Sequence, residues 1–200
     1  MSRIGTVNIV KRFSDIATHR LILRRFRDSD LASFMAYRND PEVARYQTWE
    51  SITRREAEKF IAEQSRRHPG IPGKWFQFAV ELKEGGALAG DCALLVIKSA
   101  PRIGEIGYTF AREYQRVGLA TEAARAVVDF AFDALGLNRV IATCDCRNAP
   151  SLALMERLGM RREGHFIQNV WFKGEWCDEY HYAVLREEWS RLRAAKARDG

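Results

Sequence analysis

The sequence predicts a single mixed α/β (α+β) domain built on about seven strands, from three observations. Short alternating or continuous apolar runs, typical of strands, give way after residue 118 to a long segment whose apolar residues recur every three or four positions. Glycine and proline clusters punctuate the chain at strand-like intervals. The 200 residues are 46% hydrophobic and 29% charged, ordinary proportions for one globular unit of this length.

His19–Phe26 reads as the first strand, around Leu21-Ile22-Leu23. Asp28–Tyr37 reads as a short helix capped by Asp28 or Ser29, with Leu31, Phe34 and Met35 on one face. Thr53 and Glu56 form a capping box opening a helix that runs to about Arg67, with Ala57, Phe60, Ile61 and Gln64 inward. His68-Pro69-Gly70-Ile71-Pro72-Gly73 is a break. Three strands follow as an antiparallel meander, Trp75–Leu82, Ala87–Lys98 and Ile103–Phe110, with turns at Glu84-Gly85-Gly86 and Ala100-Pro101. Leu119, Ala123, Val127, Phe130 and Ala134 then mark a long helix that Gly136 stops. Arg139–Cys144 is a strand. Asn148–Leu158 is a helix with Asn148 as cap, Pro150 in its first turn and Gly159 at its end. Gly164–Phe172 and Glu175–Leu185 flank Lys173-Gly174 as a hairpin, and a helix from Glu187 to about Ala197 closes the chain.

The longest unbroken apolar run, Cys92 to Ile97, is far short of the ~20 residues of a membrane-spanning helix. The net charge of +6 invites an anionic partner. It resides entirely in residues 1–27, which hold seven bases (Arg3, Lys11, Arg12, Arg20, Arg24, Arg25, Arg27) against Asp15 alone; the rest is balanced. The sequence thus divides into a basic N-terminal arm (1–17), one domain (18–190) and a C-terminal helix end and tail (191–200). An Arg-rich, acid-poor start also fits an organellar transit peptide, but the strand-like Leu21-Ile22-Leu23 inside it argues for structure. Cys92, Cys144, Cys146 and Cys177 lack zinc-site spacing, and His19, His68, His165 and His181 are scattered. The expectation is a cytoplasmic protein with reduced cysteines and no metal.

The segment Tyr114-Gln115-Arg116-Val117-Gly118-Leu119-Ala120-Thr121-Glu122-Ala123 joins a strand to the long helix. The first turn of a helix leaves backbone N–H groups unpaired, and the dipole adds positive character there. Small residues such as Gly118 and Ala120 let a phosphate approach those amides, and Gln115 and Arg116 add donors. The loop has neither the Gly-Lys-Ser/Thr of a Walker loop nor the glycines of a dinucleotide fingerprint. By itself it reads as an anion site or as an ordinary strand–helix turn.

Gln115-Arg116-x-Gly118-x-Ala120 resembles the Gln/Arg-x-x-Gly-x-Gly/Ala signature of the GNAT superfamily of acyl-CoA-dependent N-acetyltransferases. Thr18-x-Arg20-Leu21-x-Leu23-Arg24 with Asp30, Glu105-Ile106-Gly107-Tyr108, Asn148-x-x-Ser151, Leu158-Gly159-Met160, Gly174-x-Trp176-x-Asp178, Tyr182 and Glu188-Trp189 are similar to the RimJ/RimL-like branch of ribosomal-protein N-terminal acetyltransferases. The resemblance covers residues 18–190 in order. It implies a mostly antiparallel sheet, flanked by helices, that splays between the strand ending at Phe110 and Arg139–Cys144. Acetyl-CoA would lie in the opening, its pyrophosphate on the amides of Arg116, Val117, Gly118, Leu119, Ala120 and Thr121. Its pantetheine would run along Tyr108, Thr109 and Phe110, with Asn148 holding a pantetheine amide.

Attack of an amine on a thioester requires loss of a proton from the amine, a donor for the oxyanion and, less stringently, a proton for the thiolate. The resemblance assigns the oxyanion to a backbone N–H within Tyr108–Phe110 and makes Glu105 the first candidate for the base. Glu122 fits packing or capping better, Asp91 is a weaker candidate, and a water relay without a dedicated base also meets the requirement. Met155 stands where many family members carry an acidic tyrosine, and a thioether donates no proton. The branch points instead to Ser151, whose position also suits local backbone bonding. Trp49, Trp75, Phe76, Trp171 and Trp176 are candidates for the acceptor pocket or for plain packing. If the Lys173-Gly174 turn has two residues, Trp171 and Trp176 are cross-strand partners.

The function implied is acetyl transfer from acetyl-CoA to a primary amine, on a protein N-terminus or small molecule, by a monomer or homodimer. Two other classes are weighed against it. Loss of the usual tyrosine suits a non-catalytic acyl-CoA-binding regulatory module. The basic arm suits a nucleic-acid binder with steep salt dependence, although the balanced body argues against one.

Overall fold

The computed structural model describes residues 13–196 and 198. Most of the basic arm (1–12) and residues 197, 199 and 200 of the tail therefore lie outside the described residues. The sheet has eight strands: β1 (Ile16–Ala17), β2 (Leu21–Arg24), β3 (Phe76–Leu82), β4 (Leu88–Val96), β5 (Ile103–Phe110), β6 (Arg139–Asp145), β7 (Arg161–Phe172) and β8 (Glu175–Leu185). Their order is β1-β2-β3-β4-β5-β6-β8-β7, and every pairing is antiparallel except β5 with β6. The strand beyond the seven expected is β1, two residues too short to leave a pattern in the sequence.

The meander β3–β4–β5 forms as expected, and β5 and β8 keep their expected limits, each opened by a turn and closed by a helical segment. The Lys173-Gly174 turn has two residues, both at positive φ (48° and 87°). That is the conformation whose twist matches a two-residue hairpin. It sets Trp171 opposite Trp176, with rings 5.5 Å apart and edge-to-face.

The helices are α1 (Leu31–Arg38), α2 (Pro41–Ala44), α3 (Arg54–Arg66), α4 (Leu119–Asp133), α5 (Ala149–Leu158) and α6 (Arg186–Lys196). α3 has its capping box, the Thr53 side chain accepting from Glu56 N and the Glu56 carboxylate from Thr53 N. The expected Asp28 or Ser29 cap of the first helix is not observed. A 3-10 turn over Asp28–Asp30 precedes α1, and the Asp30 carboxylate accepts from Arg27 N at 2.8 Å while gripping Arg24. α2 escapes the periodicity reading because four residues cannot display a period. Its local signal is Asp40-Pro41, where Asp40 accepts from Glu42 N and proline occupies the first turn.

Two cores form, one on each face of the sheet. α4 lays Ala123, Val127 and Ala131 against Phe78, Val80, Leu94, Ile106 and Val140. On the opposite face α1 and α3 pack Phe34, Tyr37 and Ile61 against Phe26 and Ala79. Phe13 is part of the first core, its ring edge-on to Phe76, Phe78 and Phe130.

β5 and β6 pair only over Ile103–Glu105 and Arg139–Ile141. Beyond Glu105, β5 stays with β4 as far as Phe110 while β6 follows β8. The sheet therefore parts where it was expected to, leaving one edge of Ile106–Phe110 without a strand partner.

Candidate functional site

The loop before α4 has two left-handed residues, Arg116 (φ 63°) and Gly118 (φ 83°), Gly118 being the helix N-cap. Positive φ at those positions turns the chain sharply, and the first-turn amides of Leu119, Ala120 and Thr121 have no partner within the helix. The Gln115 amide is directed inward and donates to Phe110 O at 2.9 Å. Its role here is to pin the loop to the end of β5, which differs from the free donor expected of it.

The Thr18-x-Arg20 motif proves to be a brace for this loop. Arg20 donates to Val117 O at 2.9 Å and to Glu122 at 2.7 Å; Thr18 Oγ1 donates to Glu122 at 2.6 Å. Burial works against the Glu122 charge, but the bonds from Thr18 and Arg20 outweigh it and hold the carboxyl below its usual range. Glu122 is thus committed to structure, as its position in a helical first turn suggested. Arg20 thus sets its guanidinium beside the loop, paired with Glu122.

At the parting of the sheet, three side chains from separate elements converge. Tyr108 Oη of β5 lies 2.7 Å from Ser151 Oγ of α5, and the Cys144 thiol of β6 lies beside them. Burial pushes the Tyr108 phenol well above its ordinary pKa and the Cys144 thiol up to about 12, so both hold their protons at neutral pH. Asn148 caps α5, its Oδ1 accepting from Ser151 N at 3.3 Å. The sequence singled out Ser151 and the Tyr108 backbone but missed the Tyr108 phenol and Cys144. Only the pairing of strands distant in sequence brings these together. Met155 is fully buried in the core.

Glu105 and Ser151 are not brought together. Side chains alternate along a strand, so Glu105 and Tyr108 occupy opposite faces of β5. Glu105 lies within electrostatic reach of Thr143, His181 and Glu179. Burial raises its pKa most strongly, with Glu179 adding to the rise, while His181 and Thr143 oppose it. The folded carboxylate therefore costs stability, a cost absent below the ordinary carboxylate range and complete above the raised pKa. Glu105→Gln should melt at or above the wild-type temperature at about pH 8 and lose that advantage by about pH 4. Melting curves across pH check this; a variant advantage that grows toward acid would contradict the burial of Glu105.

Asp91 is unavailable as a base. It accepts from Tyr37 Oη at 2.6 Å and Arg38 Nη2 at 2.9 Å, tying α1 to β4. The aromatic candidates separate likewise. Phe76 is core, and Trp49 lies against the Arg38 guanidinium, 3.7 Å from its ring centroid. Trp171 and Trp176 are hairpin partners, 59% and 56% exposed. Near them the α2 segment spans the open end of the sheet: Gln47 donates to Tyr108 O at 3.4 Å, Tyr46 to Arg147 O at 3.2 Å, and Lys173 to Ala44 O at 2.7 Å. Among the described residues no group of three or more His, Cys, Asp and Glu could hold a metal ion, and no helix is long and apolar enough to cross a membrane.

Residues 20–161 match the family model described as Acetyltransferase (GNAT) domain. The chain is 35% identical over 175 residues to the uncharacterized N-acetyltransferase YnaD of Bacillus subtilis, covering 88% of this chain and 99% of that one. It superposes with a TM-score of 0.79 on a GNAT-family acetyltransferase from Bacillus anthracis at 33% identity, over 88% of this chain and 100% of the other. A GCN5-related N-acetyltransferase from Brucella melitensis gives a TM-score of 0.79 at 27% identity, over 96% and 87%. The phosphate-type loop, the parted sheet and these matches agree: the chain belongs to the GNAT family and is an N-acetyltransferase.

Proposed function

We propose that residues 18–190 form a cytoplasmic enzyme that moves acetyl from acetyl-CoA directly to a primary amine on a protein N-terminus or small molecule, both substrates being bound together. The observation that carries this reading is the alignment of two features. The braced loop before α4 offers amides to an anion, and the edge of β5 left bare by β6 continues from it. The pyrophosphate sits on residues 116–121, and the pantetheine follows Tyr108, Thr109 and Phe110 as a surrogate strand with Asn148 at its end. The Arg20–Glu122 pair holds the loop in shape.

The thioester then lies between the two faces of the sheet. Glu105 takes the amine proton on one face, and its raised pKa suits that task at neutral pH. A backbone N–H of β5 receives the oxyanion. Ser151 donates to the departing sulfur on the other face and recovers a proton from water, its hydroxyl oriented by the Tyr108 phenol, which holds its own proton. A thiolate leaves readily, so this donor accelerates the reaction without being indispensable.

Ser151→Ala should lower kcat about 10- to 100-fold and leave acetyl-CoA affinity within twofold. Steady-state kinetics with calorimetry separates the two effects, and an unchanged kcat removes Ser151 from the mechanism. The reading itself is tested by thiol release from acetyl-CoA over a panel of amines and peptide N-termini. Amine-dependent release is expected. CoA binding with no release for any amine would favour the non-catalytic module, for which the buried Met155 argues.

A further inference from the structure

His181 on β8 shares the Glu105 face of the sheet and has a polar atom without a task. Its Nε2 is shielded from solvent and has no hydrogen-bond partner among the described residues. Buried polar nitrogens are nearly always bonded, and the exceptions cluster where a ligand or proton is handled. The ring lines a cavity of about 320 Å3 walled by Ile103, Ile141 and Thr143 on one side and Phe166 on the other. Phe166 holds the imidazole by stacking, with centroids 4.1 Å apart and planes at 35°.

The charged groups facing His181 are few. From β5 comes Glu105, whose interaction with His181 opposes the rise of its pKa. From β8 itself comes Glu179, with Oε2 3.9 Å from His181 Nε2. β6 contributes the neutral Thr143 and β7 the Phe166 ring. Arg139 and Glu163 line the same cavity but are paired with each other. The unpartnered Nε2 thus has the Glu179 carboxylate beside it and Glu105 on the same face of the sheet, while the ring is partly exposed to solvent.

We propose that His181 relays the acceptor amine's proton from Glu105 to solvent, as a positioning residue acting through Glu105. The inference rests on the acetyltransferase reading above. As the amine nitrogen forms its bond to the acetyl carbon and the C–S bond breaks, the surplus proton passes to the Glu105 carboxylate and then to His181 Nε2. The Nδ1 proton goes to water, and the sulfur is protonated from the Ser151 side. Imidazole suits the task because its two nitrogens let it accept at one and release at the other near neutral pH.

The test uses the full chain with His181→Ala and His181→Gln, glutamine preserving a polar group that cannot titrate. Both should lower kcat about 100-fold while acetyl-CoA affinity, measured by calorimetry, stays within twofold. The pH dependence of kcat should lose its limb in the histidine range. Added imidazole should restore turnover to His181→Ala, where space has been made, and far less to His181→Gln. Turnover within threefold of wild type in either variant, or a loss in His181→Ala that imidazole leaves untouched, overturns the relay while leaving acetyl transfer intact. Wild-type chain that binds acetyl-CoA and releases no thiol with any amine overturns both.

Discussion

Replacing Gly118 by valine should weaken CoA binding about 100-fold. Gly118 caps α4 at φ 83°, a conformation that costs a β-branched residue roughly 1–2 kcal/mol. Relief of that strain rotates the peptide units whose N–H groups face the anion. The added side chain also meets Arg20, because a Cβ built on Gly118 would lie 3.4 Å from its Nη2. That contact bears on the brace that orients the loop. A hundredfold change represents ~2.7 kcal/mol, to which the strain contributes roughly 1–2 kcal/mol and lost amide alignment the rest. Isothermal titration with CoA measures the change, and a melting temperature near wild type shows that the fold persists. Affinity within twofold of wild type would remove the pyrophosphate from this loop.

The largest loss of stability should follow Asp91→Ala. Asp91 and Arg38 are 2% and 7% exposed, and the carboxylate also receives the Tyr37 hydroxyl. Truncation leaves a buried guanidinium without its counter-charge and a buried phenol without an acceptor. Arg38 Nε already lacks a partner, so the cation has nothing to fall back on except the flanking aromatic rings. Breaking a buried pair in this way costs about 3–5 kcal/mol, or roughly 10 °C in a chain of this size. The double variant Asp91→Ala/Arg38→Met should recover part of the loss, because it removes the stranded charge. A single variant within about 1 kcal/mol of wild type would show that the pair is solvated in solution.

The same two positions mark how far the sequence could be read. The Gly118 loop was legible because its chemistry is local: one strand end, one glycine and one helix start, contiguous in the chain. Ile103–Phe110 and Glu175–Leu185 were legible to the residue because a turn opens each and a helical segment closes it. Asp91 looked like a possible base, since no local pattern announces that Arg38, over fifty residues earlier, reaches it. The cluster of Tyr108, Cys144 and Ser151 was only partly legible for the same reason. β5 and β6 lie on either side of α4, and their geometry depends on where the pairing stops. α2 and β1 are too short to show a period, yet each adds contacts that matter, α2 across the open end and β1 beside the brace.

The three-pair seam between β5 and β6 also governs how the molecule breathes. On one side a leaf of five strands is hydrogen-bonded throughout; on the other, three strands form a second leaf. Little backbone bonding crosses between them, and the packing of α4 on both leaves joins them. In the complex proposed above, a cosubstrate lying along β5 would supply missing rungs and work as a removable splint. In the proposed complex each turnover fits and withdraws that splint, and the amide protons of Ile106, Tyr108 and Phe110, which face away from β4, are the ones whose exchange with solvent follows its presence.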